Sequence, residues 1–188
     1  MNSLVAHFVS PLERAGIGYA VTGGLASVIY GHPRLTVDVD LVLALSPSDT
    51  ARFAAIWPPV DFYCPDADTL RGESTRGAHG HFNVYHHATG LRADVYLAGT
   101  DPFQRWALDH ARRVMFDGSE IRVAPIEYVI VFKLRYVRDG GSRRHLTDVA
   151  RIMNVNEAMI DRPTLTGWVE QYRVHAELAE AEGLRAEG

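Results

Sequence analysis

Cysteine is nearly missing from this chain. Cys64 stands alone among 188 residues, so no internal disulfide can form, and the usage fits a reducing cytoplasm. Long apolar runs are missing too. No stretch approaches the about 20 residues of a membrane-spanning helix, and the N-terminus carries no basic region ahead of an apolar one. There is no internal repeat and no low-complexity segment. Excess positive charge is absent: the formal net charge is −4, which argues against a broad nucleic-acid surface while leaving room for a local basic patch. Lysine is the scarcest charge of all, with Lys133 alone against eighteen arginines. What remains is ordinary globular composition, 47% apolar and 22% charged, in a length that suits one domain with a small appendage.

The stretch TGGLASVIYGHPRLTVDVDLVL, residues 22–43, organises the rest. If VDVDLVL is a strand, Asp38 and Asp40 share one face, and Val37, Val39, Leu41 and Leu43 point the other way into a core. Two acids side by side repel. A divalent cation relieves that repulsion, and Mg²⁺ favours one or two carboxylates plus substrate phosphates. The competing reading is a solvated face of an edge strand. Gly23 and Gly24 turn the chain between a short strand at 19–21 and a short helix at 26–30. Glycine there permits positive φ and close backbone approach, and helix-start N–H groups attract phosphate. The hydroxyl of Thr22 or Ser27 would join such a cradle.

These residues carry a resemblance. Thr22-Gly23-Gly24, thirteen residues, then Asp38-Val39-Asp40-Leu41 resembles the signature of the DNA polymerase β-like nucleotidyltransferases, with Thr22 where that pattern prefers an apolar residue. The spacing Gly31, Arg34, Thr36, Asp38, Asp40 is most similar to the abortive-infection (AbiEii-type) toxin branch. The resemblance implies an α/β (α+β) fold: a small mixed β-sheet core with flanking helices and a helical C-terminal half. It implies transfer of a nucleoside monophosphate from an NTP to an acceptor hydroxyl, with Mg²⁺, two ions, held by Asp38, Asp40 and a third carboxylate. It also counts Arg34 and Thr36 among the nucleotide-binding residues.

The rest of the chain supplies candidates for the remaining roles. A helix is expected over residues 1–16, another from Ser46-Pro47, a short strand at 60–64, and a helix or loop over 65–80. Strands follow at 82–87 and 91–97. In the second, parity sets Asp94 beside Arg92 and Tyr96 on a polar face, either as a plain exposed acid or as the third carboxylate the resemblance implies. His79, His81, His86 and His87 crowd together without zinc-site spacing, so a solvated or loop-lining role is expected. A helix at 102–112, a strand pair at 113–116 and 121–124, and a helix from Pro125 come next.

Lys133 falls on the apolar stripe of that last helix with Ile126, Val129, Ile130 and Val137. An inward lysine is costly unless it meets anions, so it either clamps a nucleotide phosphate or snorkels at the stripe's edge. Lys133-Leu134-Arg135, followed by His145-Leu146-Thr147-Asp148-Val149, is similar to the K-L-x-A…R-D-x-x-D-L block of the same toxins, with His145 and Leu146 where Arg-Asp is usual. Asp148 would hold Lys133 or Arg144, or lie on the surface. A last helix is expected over 163–184. Arg135, Arg138, Arg143, Arg144 and Arg151 form the one basic footprint for a polyanionic acceptor. The expected division is a nucleotidyltransferase core at 1–124 and a helical part at 125–188 closing the cleft. The acceptor would be RNA or protein, with an antitoxin protein as the partner the resemblance implies. A small-molecule adenylyltransferase of the antibiotic-resistance (aminoglycoside) type and a non-catalytic nucleotide-binding relative are the alternatives.

Overall fold

The computed structural model describes residues 3–31 and 35–186. In chain order it forms a π-helical turn at Val5–Val9, α1 (Ser10–Ala15), β1 (Tyr19–Thr22), α2 (Gly23–Ile29), β2 (Asp38–Leu43), α3 (Thr50–Ala54), β3 (Phe62–Tyr63) and α4 (Ala67–Ser74). Then come β4 (His81–His86), β5 (Arg92–Leu97), α5 (Pro102–Asp109), β6 (Arg112–Phe116), β7 (Ser119–Val123), α6 (Ile126–Arg138), α7 (Arg144–Val155), α8 (Arg162–Tyr172) and α9 (His175–Ala186). This is an α/β fold around a mixed sheet.

Chain contacts divide it into two compact units, Met1–Leu25 with Leu35–Ala124, and Ala26–Arg34 with Pro125–Gly188. The first holds the sheet, in the order β3-β4-β5-β2-β1-β7-β6, with β2 parallel to β5, β1 parallel to β7 and the other neighbours antiparallel. Period-two alternation decides its faces. Val39, Leu41 and Leu43 pair laterally with Ala93, Val95 and Leu97, and all six are buried. Phe82 joins that layer, where Phe53 meets it edge-on at 5.4 Å and Trp57, Phe62 and Phe8 extend the aromatic cluster. Each such side chain contributes about 1.5–3 kcal/mol of burial, which fixes the register and so commits the opposite face to the polar residues.

The second unit buries Tyr128, Val129, Ile130 and Leu134 of α6 with Leu146, Val149 and Met153 of α7 and Leu165 and Val169 of α8. Polar contacts tie it as well: Glu127 accepts from the Asp161 backbone N–H at 2.7 Å, and Asn156 donates to the Tyr30 carbonyl at 2.8 Å. Among the described residues no helix is long and apolar enough to cross a membrane.

Four expectations are corrected. The helix expected at Ser46 starts at Thr50, because the Ser46 hydroxyl donates to Asp49 Oδ2 at 2.6 Å and holds a turn instead. Val37 precedes the strand and is 60% exposed, so it is no part of the core. α2 begins at Gly23 itself, not three residues later. The single last helix is two, because Arg173 adopts φ 54° and breaks it, which lets Val174 bury before α9 starts.

Candidate active site

One lateral row of the sheet carries the polar chemistry. Thr22 on β1 pairs with Asp40 on β2, Asp40 with Asp94 on β5, and Asp94 with Asn83 on β4. The neighbouring row sets Asp38 beside Arg92 and Arg92 beside Tyr85. Directly opposed residues have Cβ atoms roughly 4.5–5.5 Å apart, so Asp38, Asp40 and Asp94 share one face within neighbouring positions. Their convergence follows from register alone: β2 and β5 run parallel, and both acids of the Asp38-Val39-Asp40 repeat have the parity of Asp94.

The acids do not stand unbalanced. Arg92 reaches Asp38 Oδ2 at 3.4 Å and Asp94 Oδ2 at 3.1 Å, so a guanidinium lies between those two carboxylates. Thr36 donates to Asp38 Oδ1 at 2.8 Å. Turned with its nitrogen towards β5, the Asn83 amide donates to Asp94 Oδ1 at 2.7 Å and accepts from the Tyr85 hydroxyl at 3.3 Å. The Asp94 carboxyl is still raised above the ordinary carboxylate value, first by desolvation and further by the Asp38 charge, with Arg92 opposing both. Its side chain is 13% exposed where that of Asp38 is 30%, so the two acids differ in environment as well as position.

The glycine turn serves Asp40. Gly23 has φ +59°, and a Cβ there would stand 1.7 Å from Asp40 Oδ2. Gly24 N–H donates to that same oxygen at 3.2 Å. The turn is thus closed on the strand's carboxylate, and Gly23 is required by Asp40 before any ligand arrives. The Thr22 hydroxyl, fully buried in the row, has no hydrogen-bond partner among the described residues, an orphan that costs about 1–3 kcal/mol. Ser27 lies fully buried in α2. Arg34 lies outside the described residues.

Lys133 and Asp148 meet in the second unit. Lys133 Nζ donates to Asp148 Oδ2 at 2.7 Å, with side chains 2% and 1% exposed. The lysine therefore does not snorkel. His145 Nδ1 lies 3.5 Å from the ammonium and 3.7 Å from Asp148 Oδ2, and its ring meets Tyr136 edge-on. The histidine that departs from the toxin block thus sits against the buried pair.

The remaining histidines do not gather into one site. His81 packs on Tyr96 at 4.9 Å, while His86 stacks on His7 at 4.0 Å and contacts the Thr89 hydroxyl at 2.8 Å. Among the described residues no three His, Cys, Asp or Glu side chains close into a metal cage. The donor set of Asp38, Asp40 and Asp94 nevertheless consists of hard oxygens on one face, beside an orphaned hydroxyl, which is the chemistry that fits Mg²⁺. The cation lying between Asp38 and Asp94 here is the Arg92 guanidinium. Sequence reading missed Arg92 and Asn83 as site residues, although Arg92 has the parity of Asp94 and was open to the same argument.

The fold that carries this face is similar to that of solved nucleotidyltransferase-like proteins. Crystalline ANT(2″)-Ia in complex with adenylyl-2″-tobramycin matches with a TM-score of 0.64 at 13% identity, over 91% of this chain and 95% of that one. The solution structure of the antibiotic-resistance factor ANT(2″)-Ia matches at 0.57 and 12%, over 99% and 97%. An antigenic nucleotidyltransferase-like protein from Paracoccidioides brasiliensis matches at 0.54 and 20%, over 95% and 90%. No protein-family model matches the chain, and a search of the curated proteins found no match.

Proposed function

We propose that this chain is a metal-dependent nucleotidyltransferase that moves a nucleoside monophosphate from an NTP to an acceptor hydroxyl. The observation that carries the reading is the shared face of Asp38, Asp40 and Asp94, built on adjacent parallel strands behind a glycine turn. Asp38 and Asp40 would hold two Mg²⁺ ions, with Asp94 completing the set. When bound, those ions neutralise triphosphate charge and stabilise the leaving pyrophosphate. Asp94, on the strand beside that of Asp38 and Asp40, would also stand as the proton acceptor for the incoming hydroxyl. Asn83 orients its carboxylate, and Thr36 orients that of Asp38. Gly23 keeps the space into which Asp40 projects. Most of the rate enhancement would come from positioning and electrostatics.

The residues Gly31, Arg34, Thr36, Asp38 and Asp40, with the Lys133 and Asp148 block, support an abortive-infection type of toxin acting on RNA or protein. The likeness to ANT(2″)-Ia over nearly its whole length favours a second reading, a small-molecule adenylyltransferase. One experiment separates them. Each labelled NTP is incubated with Mg²⁺ and, in turn, total RNA, total protein and a panel of aminoglycosides. Label in RNA or protein is expected under the first reading and in the small-molecule fraction under the second. Asp40→Asn abolishes it in either case. No transfer to any fraction, or full transfer by Asp40→Asn, overturns nucleotidyl transfer at this site.

A further inference from the structure

Two acids of the carboxylate face divide their oxygens between a neutral donor and one cation. Asp38 Oδ1 accepts from the Thr36 hydroxyl at 2.8 Å, and Asp94 Oδ1 accepts from the turned Asn83 amide at 2.7 Å. The other oxygen of each, Oδ2, faces Arg92, at 3.4 Å from Asp38 and 3.1 Å from Asp94. Thr36 and Asn83 thus orient the two carboxylates, and the Oδ2 pair converges on the guanidinium. Strand register produces this arrangement: Arg92 stands directly opposite Asp38 and two residues before Asp94 on the same face. A hard divalent cation shared by β2 and β5 would draw on the same two oxygens.

Arg92 is placed to balance these acids without being locked to them. Both contacts run through one terminal nitrogen, Nη2, so neither carboxylate receives the two parallel bonds of a forked arginine–carboxylate pair. The Arg92 Nε–H, shielded from solvent, has no acceptor among the described residues. The side chain as a whole is 43% exposed, so the guanidinium can leave the acids without entering an apolar interior. Phosphate oxygens suit a planar fork better than one oxygen from each of two carboxylates. A triphosphate therefore offers Arg92 a partner in exchange for the acids, and a metal ion by itself offers none.

We propose that Arg92 competes with a divalent cation for the Oδ2 atoms of Asp38 and Asp94, and so makes metal binding at this face depend on nucleotide. Arg92 is then a positioning residue: it keeps the two acids together and sets the order in which the ligands of the site assemble. A metal arriving alone must displace the guanidinium against the repulsion between two cations. A metal arriving with a triphosphate meets an Arg92 that the phosphates draw away. The proposal rests on the metal-dependent reading of this face given above.

The full-length chain is titrated with Mn²⁺, following the free ion by electron paramagnetic resonance, with and without a non-hydrolysable NTP and against blanks lacking protein. The parent should bind Mn²⁺ more tightly with nucleotide than without. Arg92→Gln, without nucleotide, should bind Mn²⁺ about fivefold or more tighter than the parent, the size of a solvent-facing ion pair. Its gain from nucleotide should shrink by at least that factor. An Arg92→Gln variant that binds Mn²⁺ no better than the parent, or gains as much from nucleotide, while both proteins bind the ion with nucleotide, overturns the role of Arg92 alone. Failure of both proteins to bind Mn²⁺ even with nucleotide overturns the metal-dependent reading, and this proposal with it. A crystal structure of the parent with Mn²⁺ and the NTP analogue decides if the variant does not fold. Arg92 should there have left both Oδ2 atoms, and an Arg92 still bonded to both, with the ion bound, overturns the proposal.

Discussion

Gly23→Ala is the sharpest test of how the site is built. The new methyl would fall on the Asp40 carboxylate, and φ +59° is strained for any L side chain. The carboxylate must swing away and its bond from Gly24 must break, at a cost of about 1–3 kcal/mol. Transfer activity should be lost along with a fall in melting temperature of several degrees. An active Gly23→Ala variant would show that Asp40 is not held by the turn. Lys133→Met is read differently now that the ammonium is buried against Asp148. It strands a buried carboxylate, which typically costs about 3–5 kcal/mol, and Lys133→Met with Asp148→Asn should recover part of that loss. Calorimetric titration of the folded single variant with NTP then tests the phosphate clamp: a clamp predicts affinity lower by about ten- to a hundredfold, a structural pair predicts none. At this scale the site was legible where the period-two rule applies, as for Asp38, Asp40 and Asp94. Lys133 was legible as inward, with Asp148 open as its partner, as that of Arg144 or as a surface acid. Packing between two helices decides among these, and the bridging role of Arg92 needed strand order, which a sequence does not display.

Among the elements, the segment preceding α1 carries a testable pH dependence. His7 stacks on His86 at 4.0 Å and borders Phe62 and Phe8. Desolvation first, and the His86 charge second, push the His7 imidazole below its ordinary 6.5. A depressed folded-state value means the neutral ring is favoured in the fold. Its contribution is fully present above pH 6.5 and is lost as pH falls through the lower folded value. The melting temperature of the parent should therefore decline between pH 7.5 and pH 5 more steeply than that of His7→Phe, which keeps the ring contact without a proton site. Parallel pH profiles would show that the stack is electrostatically neutral to the fold. The strands β2 and β5, with their strict alternation, were legible in the sequence to within a residue, and so was the start of α6 after Pro125. The misses share one physical origin. Ser46 hydrogen-bonds locally where it was expected to cap a helix, and Arg173 enters a left-handed conformation that nothing in its residue type announces.

At the level of the whole molecule, the carboxylate face makes the unliganded chain a compromise. Among the described residues, these three acids on neighbouring positions of one face are met by the Arg92 guanidinium and by donors from Thr36, Asn83 and Gly24, while burial raises the Asp94 carboxyl. A ligand that brings positive charge to that face relieves repulsion in the folded chain alone, since the unfolded chain spreads its acids apart. Binding to the native state stabilises it by mass action, about 2.7 kcal/mol when ligand stands at a hundredfold over its Kd. Mg²⁺ together with a non-hydrolysable NTP should therefore raise the melting temperature by about 5–10 °C for a domain of this size. NTP with excess chelator should do little, because the triphosphate would then add negative charge to an acidic face. Asp40→Asn removes one of the repelling charges while keeping the shape, so its own melting temperature should equal or exceed that of the parent, yet the Mg²⁺–NTP increment should vanish. A parent increment that survives the chelator places nucleotide binding elsewhere on the chain. An Asp40→Asn variant with an undiminished increment would mean that the carboxylate row, for all its geometry, is not where the metal and the triphosphate meet.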